Sequence, residues 1–544
     1  MSDGFYKFPA VVNEPVKSYA AGSPERAELK AVLAEMKAAQ TEIPMWIGGK
    51  EVKTEDHVTI HPPHELNHCL GFYHRGDATH AQAAIDAALA ARPQWEATPW
   101  YDRAAIFLKA AELVAGPYRA RINASTMLGQ SKNCYQAEID AAAELVDFLK
   151  YNATYMAEIY GQQPPANSPG IWNRLEYRPL EGFIFAVTPF NFTSICANLF
   201  TTPAMLGNVV VWKPSDTQIY SAQVLVDVFR AAGLPDGVVN MVLGDGPTIG
   251  DVCFNDENLA GLNFTGSTKT FQFMWKTIGN NIHKYKSYPR IVGETGGKDF
   301  VMVHPSADRK AVSVALTRGS FEYQGQKCSA ASRAYVPASM WEEVKGTMLA
   351  DMATMKMGTP EDFSNFINAV IDERAFDKIT NAIKAASESE DATIVAGGGY
   401  DKSEGYFIQP TVIQAHTSDY VTLAEELFGP VLTVFVYEDD KFEETLDILD
   451  KTSDYALTGA IFSQDRYALR TAMDKLRYAA GNFYINDKPT GAVVGQQPFG
   501  GGRSSGTNDK AGSGMNLYRW ISARTIKENF NPPTDYRYSF LEEA

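Results

Sequence analysis

Apolar residues recur at helical spacing through the first third of the chain. The spacing holds over 78–111 and returns over 137–155, and it predicts amphipathic helices there. Helix-forming residues over 23–39 predict a further helix before them. Between these helices, the apolar runs at 43–49 and 58–60 predict a hairpin on the surface.

Short β-branched runs then alternate with amphipathic segments. This alternation predicts a parallel sheet with crossover helices, whose ligands bind at the carboxyl ends of the strands. A second succession of the same kind runs over 300–499, and the turn-rich run at 161–170 leaves the helical body. The predicted strands of the first succession are 209–212, 238–243 and 259–264, and its predicted helices are 221–232 and 268–278.

Composition and charge narrow the possible functions. The chain has 544 residues, enough for about three domains, and a net charge of −16 with no basic patch, which argues against nucleic acid as a partner. The uncharged stretch at 182–212 is long enough to cross a membrane. Its internal Pro189, Asn191 and Pro203 are costly in lipid, so we interpret it as buried strand, loop and helix and expect no membrane partner.

Cysteine and histidine usage bears on compartment and metals. The five cysteines are widely spaced without a CxxC pair, which predicts free thiols in a reducing compartment. No targeting segment is visible, although a transit peptide already removed would leave the same sequence, so we expect the cytoplasm or the mitochondrial matrix. Prolines interrupt a histidine cluster, and we favour solvated surface histidines over a metal site there. That cluster comprises His57, His61, His64 and His68, next to Cys69.

Three segments carry candidate chemistry. Cys328 lies in a polar, glycine-containing loop that suits a nucleophilic thiol. Glu294 precedes paired glycines, where a general base has room to reach a water. Asn191 offers an amide in an uncharged wall, suited to stabilising an oxyanion. A hydrolase of the Cys–His kind stays open as an alternative, since histidines remain at 283, 304 and 416.

Two further segments suggest a nucleotide site. Gly266 and Ser267 follow a strand at a predicted helix start, where free N–H groups can hold a phosphate. Lys213 and Asp216 lie at the end of another strand, where they could grip ribose hydroxyls.

Taken together, seven ordered motifs resemble the aldehyde dehydrogenase superfamily, over about residues 40 to 530. Within it, the resemblance is closest to the members that oxidise glutamate γ-semialdehyde, on FEYQGQKCSA (321–330), NFYINDKPTG (482–491), VVGQQPFGG (493–501) and SGTNDKAG (505–512). The seven motifs are TPFNF (188–192), KPS (213–215), FTGS (264–267), ETGGK (294–298), GQKCS (325–329), EELFGPV (425–431) and QPFGG (497–501).

The resemblance implies an α/β fold of three parts. These are a Rossmann-like NAD-binding domain with an N-terminal helical part (1–161 and 180–293), a catalytic domain (294–505), and an oligomerisation β-flap with the tail (162–179 and 506–544). A homodimer, or an assembly of dimers, is expected to form through 162–179 and 522–530. Asp216 stands where a longer glutamate is frequent and favours NAD over NADP.

The resemblance also implies residue roles. Cys328 attacks the aldehyde, Asn191 holds the oxyanion, and Glu294 activates the water that releases the carboxylate. A relative for succinate semialdehyde, or an inactive relative, stays open as an alternative. The residues matching cofactor positions are Thr188, Lys213, Ser215, Gly266, Ser267, Thr268, Glu426 and Phe428. The residues matched to the amino-acid substrate are Ser329, Gly512, Ser513, Phe192, Trp520 and Glu144.

Overall fold

The computed structural model describes residues 6–541, so the first five residues of the predicted range 1–161 and the last three of 506–544 lie outside it. A seven-stranded sheet organises the first half of the chain. Its first five strands are parallel, which confirms the predicted α/β pattern, and two antiparallel strands extend it. In spatial order the strands are Arg290–Glu294, Leu259–Thr265, Phe183–Val187, Val209–Lys213, Val239–Met241, Met45–Ile47 and Lys50–Val52.

Helices cover both faces of this sheet and bury a large apolar core against it. Gly233 ends one helix in the left-handed conformation, with φ of 93°. The helices are Pro24–Ala38, Ala78–Ala97, Trp100–Ala115, Arg119–Gln130, Cys134–Ala137, Glu144–Tyr160, Thr193–Met205, Ile219–Ala232, Gly246–Asn255 and Thr268–Asn280. A π-helical turn, Glu138–Ala143, joins Cys134–Ala137 to Glu144–Tyr160, within the segment predicted as one helix.

A second seven-stranded sheet lies in the other half of the chain. Six of its strands are parallel and the edge strand Ala392–Ala396 is antiparallel. The other strands, in spatial order, are Thr411–Ala415, Val431–Tyr437, Ala331–Pro337, Asp299–Val303, Thr458–Phe462 and Asn482–Ile485. The helices of this half are Arg309–Phe321, Ala338–Thr354, Glu373–Ser387, Val421–Ala424, Phe442–Thr452, Arg466–Lys475 and Gly514–Leu517.

A long two-stranded ribbon stands apart from both sheets. Ile171–Arg178 pairs antiparallel with Ser522–Asn529 along its whole length. The turn-rich segment before Ile171 therefore leads into this ribbon, as expected for an excursion from the helical body. The division of the chain into three domains stays a prediction.

The predicted hairpin between 43–49 and 58–60 is wrong. Met45–Ile47 turns back at once onto Lys50–Val52, because Gly48 and Gly49 both have positive φ (59° and 76°) and form a two-residue turn. His57–Ile60 instead pairs with Gly71–His74, which also pairs with Thr41–Ile43 in a three-stranded sheet.

The uncharged stretch at 182–212 folds as predicted. It forms a strand, the helix Thr193–Met205 and most of a second strand, all largely buried. Among residues 6–541, no helix is both long and apolar enough to cross a bilayer.

The histidines near residue 60 are not all solvated surface groups. The side chain of His64 is fully buried, with Nδ1 3.1 Å from Ser131 Oγ and Nε2 3.4 Å from Glu361 Oε2. His68 Nε2 lies 2.8 Å from the Lys37 carbonyl instead of pointing to solvent. The surface interpretation is therefore wrong for His64, because the loop after Pro63 folds inward and not outward.

Candidate active site

A cavity of about 310 Å³ lies between the two sheets, at the carboxyl end of the first. Cys328 and Glu294 both line it, although 34 residues separate them in sequence. The structure thus brings together the predicted nucleophile and the predicted base. Other predicted residues on the same wall are Ser329, Phe192 and Glu144.

The loop before Cys328 is fixed by its own side chains. Tyr323 and Gln324 adopt left-handed φ values of 51° and 55°, which non-glycine residues rarely do. Gln324 donates to the carbonyls of Ser131 and Ala369 at 3.1 and 2.8 Å and accepts from the backbone N–H of Asn368 at 3.0 Å. These bonds hold a strained turn and give Cys328 a defined position.

Asn191 lies beside this loop. It is 4% exposed, and its Nδ2 donates to the Gln326 carbonyl at 3.1 Å. An amide NH₂ carries two N–H groups, and no second acceptor among the described residues binds this one. Asn191 does not itself line the cavity, and its role in binding an oxyanion stays a prediction.

Burial sets the proton affinities of the base and the nucleophile. It raises the pKa of Glu294 to about 8; nearby Lys510 opposes this rise and Asp509 adds to it. Burial also raises the pKa of the Cys328 thiol well above its ordinary value, and the neighbouring Glu294 acts in the same direction. The thiol is thus protonated at rest, and Glu294 can gain or lose a proton near neutral pH.

The far end of the cavity is polar where Ser329 faces a loop of the second sheet. Ser329 Oγ lies 2.8 Å from Thr490 Oγ1, and both residues line the cavity together with Gly491 and Ala492. Gly491 has a φ of 96°, which turns this loop toward Ser329. We call Ser329, Thr490, Gly491 and Ala492, with the ring of Phe499, the recognition end.

Gly512 and Ser513 do not line the cavity, so their assignment to the substrate is wrong. A Cβ on Gly512 would meet Val494 and Phe148 at 3.3 and 3.4 Å, which places Gly512 behind the wall that those two side chains form. Ser513 Oγ donates to the Lys510 carbonyl at 2.7 Å and so closes its own turn.

Trp520 is not an aromatic wall of the cavity either. Its side chain is fully buried in the core of the first sheet, where it comes within 3.0 Å of a Cβ built on Gly261. Phe499 and Phe148 line the cavity in its place. Large apolar rings pack equally well in a core, so residue type alone did not separate the two positions.

Phe192 and Glu144 both line the cavity, and their substrate roles stay predictions. The Lys132 ammonium lies 4.1 Å above the Phe192 ring, and its charge is balanced by Asp140 at 2.7 Å. Glu144 accepts a hydrogen bond from Ser194, and burial raises its pKa to about 8.

The predicted cofactor residues gather at the carboxyl edge of the first sheet. The backbones of Thr188 and Lys213 bond at 3.1 Å, and the N–H of Ser215 donates to the Thr188 carbonyl at 3.1 Å. The Lys213 ammonium lies 2.8 Å from Asp216 Oδ1. This cation and carboxylate lie together at the end of strand Val209–Lys213, and their contact with a cofactor stays a prediction.

The start of helix Thr268–Asn280 adjoins that edge. Ser267 caps it by accepting from the N–H of Thr270, and Gly266 donates its N–H to the Glu294 carbonyl at 3.1 Å. The Thr268 hydroxyl lies 3.3 Å from the hydroxyl of Tyr455. The candidate phosphate site therefore abuts the strand that carries the base.

Glu426 and Phe428 approach from the second sheet. Glu426 Oε1 accepts the Gly297 N–H at 2.8 Å, and a Cβ on Gly296 would collide with this carboxyl. The Phe428 ring, on a residue with φ of 61°, meets Phe190 edge to face at 5.8 Å. Glu426 and Phe428 thus add residues from the second sheet to the predicted cofactor site near Glu294 and Cys328.

Sequence reasoning missed an N-terminal segment that covers the cavity. Residues 13–17, which we call the strap, cross its mouth, and Asn13 and Glu14 line it. Asn13 Nδ2 donates to Asp147 and to the Val494 carbonyl, both at 2.8 Å. The strap has no periodic apolar pattern that would have indicated it in the sequence. Thr490 and Gly491 were also missed, although they lie inside the motif NFYINDKPTG (482–491).

Comparisons with known proteins agree with this geometry. Residues 50–526 match the model of the aldehyde dehydrogenase family. The chain is 51% identical to a mitochondrial delta-1-pyrroline-5-carboxylate dehydrogenase of Dictyostelium discoideum, over 98% of this chain and 96% of that protein. The corresponding human protein is 48% identical, over 98% and 94%. A crystal structure of the Mycobacterium tuberculosis enzyme bound with NAD is similar over the whole of both chains, with a TM-score of 0.96 and 50% identity.

Proposed function

Because the chain belongs to the aldehyde dehydrogenase family, we propose that it oxidises L-glutamate γ-semialdehyde to L-glutamate with NAD, a step of proline degradation. This aldehyde is in equilibrium with delta-1-pyrroline-5-carboxylate, the compound in the relatives' names. The observation that carries the proposal is one cavity, which Cys328 and Glu294 line together with the polar loop at Thr490–Ala492. A nucleophile and a base alone could act on any aldehyde. The polar recognition end favours an aldehyde whose other end is charged.

The reaction proceeds in two halves. Cys328 gives its proton to solvent water, the thiolate sulfur attacks the aldehyde carbon, and the Asn191 amide binds the oxyanion. Loss of hydride from that carbon leaves a thioester on Cys328. Glu294 then takes a proton from a water, whose oxygen attacks the thioester and releases the carboxylate and the thiol.

The residues at the edge of the first sheet fit NAD, which supplies the hydride acceptor. Lys213 and Asp216 are placed to bind the ribose hydroxyls of NAD, and the Asp216 carboxylate disfavours the 2′-phosphate of NADP. Next to them, a Cβ on Gly246 would touch only the Lys213 side chain at 4.0 Å, which leaves an open surface at a helix N-terminus. Ser215, Gly266, Ser267, Thr268 and Thr188 complete this surface, and Glu426 and Phe428 close it from the second sheet.

The cavity also fits an amino acid. Ser329 and the backbone of Gly491 and Ala492 supply donors for the α-carboxylate at the recognition end. Phe192 and Phe499 flank the aliphatic part, while the carboxyl groups of Glu14, Glu144 and Asp147 offer oxygen acceptors for the ammonium. This arrangement favours an amino-acid semialdehyde over succinate semialdehyde, which has no ammonium.

Steady-state kinetics test the proposal. We expect glutamate γ-semialdehyde to exceed succinate semialdehyde and propanal in kcat/KM, and NAD to exceed NADP. A site built for a carboxylate and an ammonium rejects analogues that leave its buried polar groups unpaired. Equal kcat/KM for all three aldehydes would contradict the substrate assignment and leave only the general activity.

We also propose that the protein forms a homodimer, or an assembly of dimers, through the ribbon. Trp172 and Phe530, at the end of the ribbon, are 50% and 64% exposed, which suits a covering partner. Analytical ultracentrifugation should show a dimer or a larger species that Trp172→Glu weakens.

The compartment is the cytoplasm or the mitochondrial matrix, and the five free cysteines suit either.

A further inference from the structure

One buried carboxyl beside the nucleophile takes no part in the reaction above. Asp299, which begins strand Asp299–Val303, is 1% exposed. Its Oδ1 accepts the backbone N–H of Thr458 at 2.7 Å. Its Oδ2 is buried and has no hydrogen-bond partner among the described residues. A buried acceptor without a hydrogen bond lowers the stability of the folded protein, so we next consider the groups near Oδ2.

The orphaned oxygen faces the backbone of the nucleophile. A Cβ built on Gly297 would lie 2.3 Å from Asp299 Oδ2 and 2.2 Å from the carbonyl oxygen of Cys328. Both oxygens therefore lie close to the position that a Cβ on residue 297 would occupy. Among the described residues, the Cys328 carbonyl accepts no hydrogen bond either. Neither oxygen accepts a hydrogen bond among the described residues, and a proton on Asp299 Oδ2 could be donated to the Cys328 carbonyl across this space.

The charges around Asp299 favour its neutral form. Burial raises the pKa of its carboxyl well above the ordinary value, although the backbone N–H and the side chain of Thr458 oppose this rise. The nearby Glu426 carboxylate adds to the rise, and Arg333 opposes it. Lys298 does not neutralise it, because its ammonium donates to the Ser332 carbonyl at 3.2 Å and burial lowers its pKa to about 7. The other titratable groups that face Asp299 are the Cys328 thiol and the Tyr484 phenol.

We propose that Asp299 is protonated in the resting enzyme and that its Oδ2–H donates a hydrogen bond to the Cys328 carbonyl. Asp299 is then a positioning residue, which touches neither substrate nor cofactor. The bond fixes the peptide between Cys328 and Ser329, and so orients the attacking sulfur and the hydroxyl at the recognition end together. It also requires Gly297, since any side chain there would occupy the space between the two oxygens.

Two substitutions separate this role from a charged one. In Asp299→Asn, the amide oxygen can accept from Thr458 and the NH₂ can donate to Cys328, so both bonds survive without a titrating proton. Asp299→Leu has a similar volume and loses both. The readout is the rate of Cys328 alkylation by iodoacetamide, located by peptide mass spectrometry, which needs neither aldehyde nor NAD and so is independent of the proposed function.

We expect Asp299→Asn to alkylate within about threefold of wild type and Asp299→Leu at least about tenfold more slowly, because only the leucine variant loses both hydrogen bonds. The NADH burst with aldehyde should follow the same order. An Asp299→Asn rate as low as that of Asp299→Leu would show that a carboxylate is required and overturn the proposal. A wild-type rate in Asp299→Leu would also overturn it. Asp351→Asn and Asp351→Leu, on helix Ala338–Thr354, are the matched controls.

Infrared spectroscopy tests the proton even if Asp299→Leu does not fold. The difference spectrum between wild type and Asp299→Asn at neutral pH should contain the C=O band of a carboxylic acid. A pair of carboxylate bands in its place would show that Asp299 is ionised, and would overturn the proposal.

Discussion

The two ends of the cavity differ in how they are built. At the reaction end, Cys328, Glu294 and Asn191 each sit in a short motif, at a strand end or beside the turn that the Gln324 side chain holds. At the recognition end, Ser329 meets Thr490–Ala492 from a long irregular segment. The groups that do the chemistry thus lie in short motifs that can be recognised in sequence, whereas recognition depends on how distant loops meet. Changes at the reaction end should abolish turnover, and changes at the recognition end should alter substrate preference.

The largest effect is expected from Cys328→Ala. The thiol forms the only covalent bond to the substrate, so turnover should fall by at least about 10³-fold, equivalent to about 4 kcal/mol of barrier. NAD affinity, measured by fluorescence titration, should stay near wild type. Turnover within tenfold of wild type would show that another group attacks the aldehyde.

Glu294→Gln should separate the two half-reactions. Hydride transfer precedes hydrolysis, so a rapid-mixing trace should retain the NADH burst while steady-state release slows by about 10²-fold or more. In the wild type, hydrolysis should rise with pH through about 8, because burial raises the pKa of Glu294 to about 8 and only its ionised form accepts a proton. Loss of the burst in Glu294→Gln would place Glu294 earlier, in deprotonating Cys328.

Gly491→Val tests the recognition end. A Cβ on Gly491 would lie 2.8 Å from Lys488 Nζ, which also lines the cavity, and the φ of 96° strains any side chain there, so kcat/KM for glutamate γ-semialdehyde should fall by about 10²-fold while propanal is much less affected. Ser513→Ala is the matched control, because Ser513 bonds only within its own turn and should leave the ratio unchanged. A larger effect from Ser513→Ala than from Gly491→Val would reverse the assignment of the carboxylate site.

The smallest effect is expected at the strap. Asn13→Ala removes three hydrogen bonds, to Asp147, to the Val494 carbonyl and from Gln496 Nε2, so KM for the amino-acid substrate should rise about three- to tenfold with kcat nearly unchanged. Val12→Ala, at a side chain 79% exposed, is the control. A fall in kcat without a change in KM would assign the strap to the reaction end.

The same contrast explains what the sequence predicted. The alternation of strands and helices and the motifs around Cys328 and Glu294 depend on neighbours in sequence, and those predictions of fold and placement agree with the structure. Trp520 and Gly512 were misplaced because an aromatic ring and a glycine suit a core or a turn as well as a cavity wall. The strap was missed because its contacts with Asp147 and Val494 span more than 130 residues. The roles of the site residues stay predictions until these variants are measured.

Mass spectrometry of acid-quenched Glu294→Gln tests the covalent mechanism most directly. After mixing with glutamate γ-semialdehyde and NAD, the account predicts a glutamyl thioester on the peptide that contains Cys328, formed together with the NADH burst. An unmodified Cys328 peptide alongside that burst would contradict it.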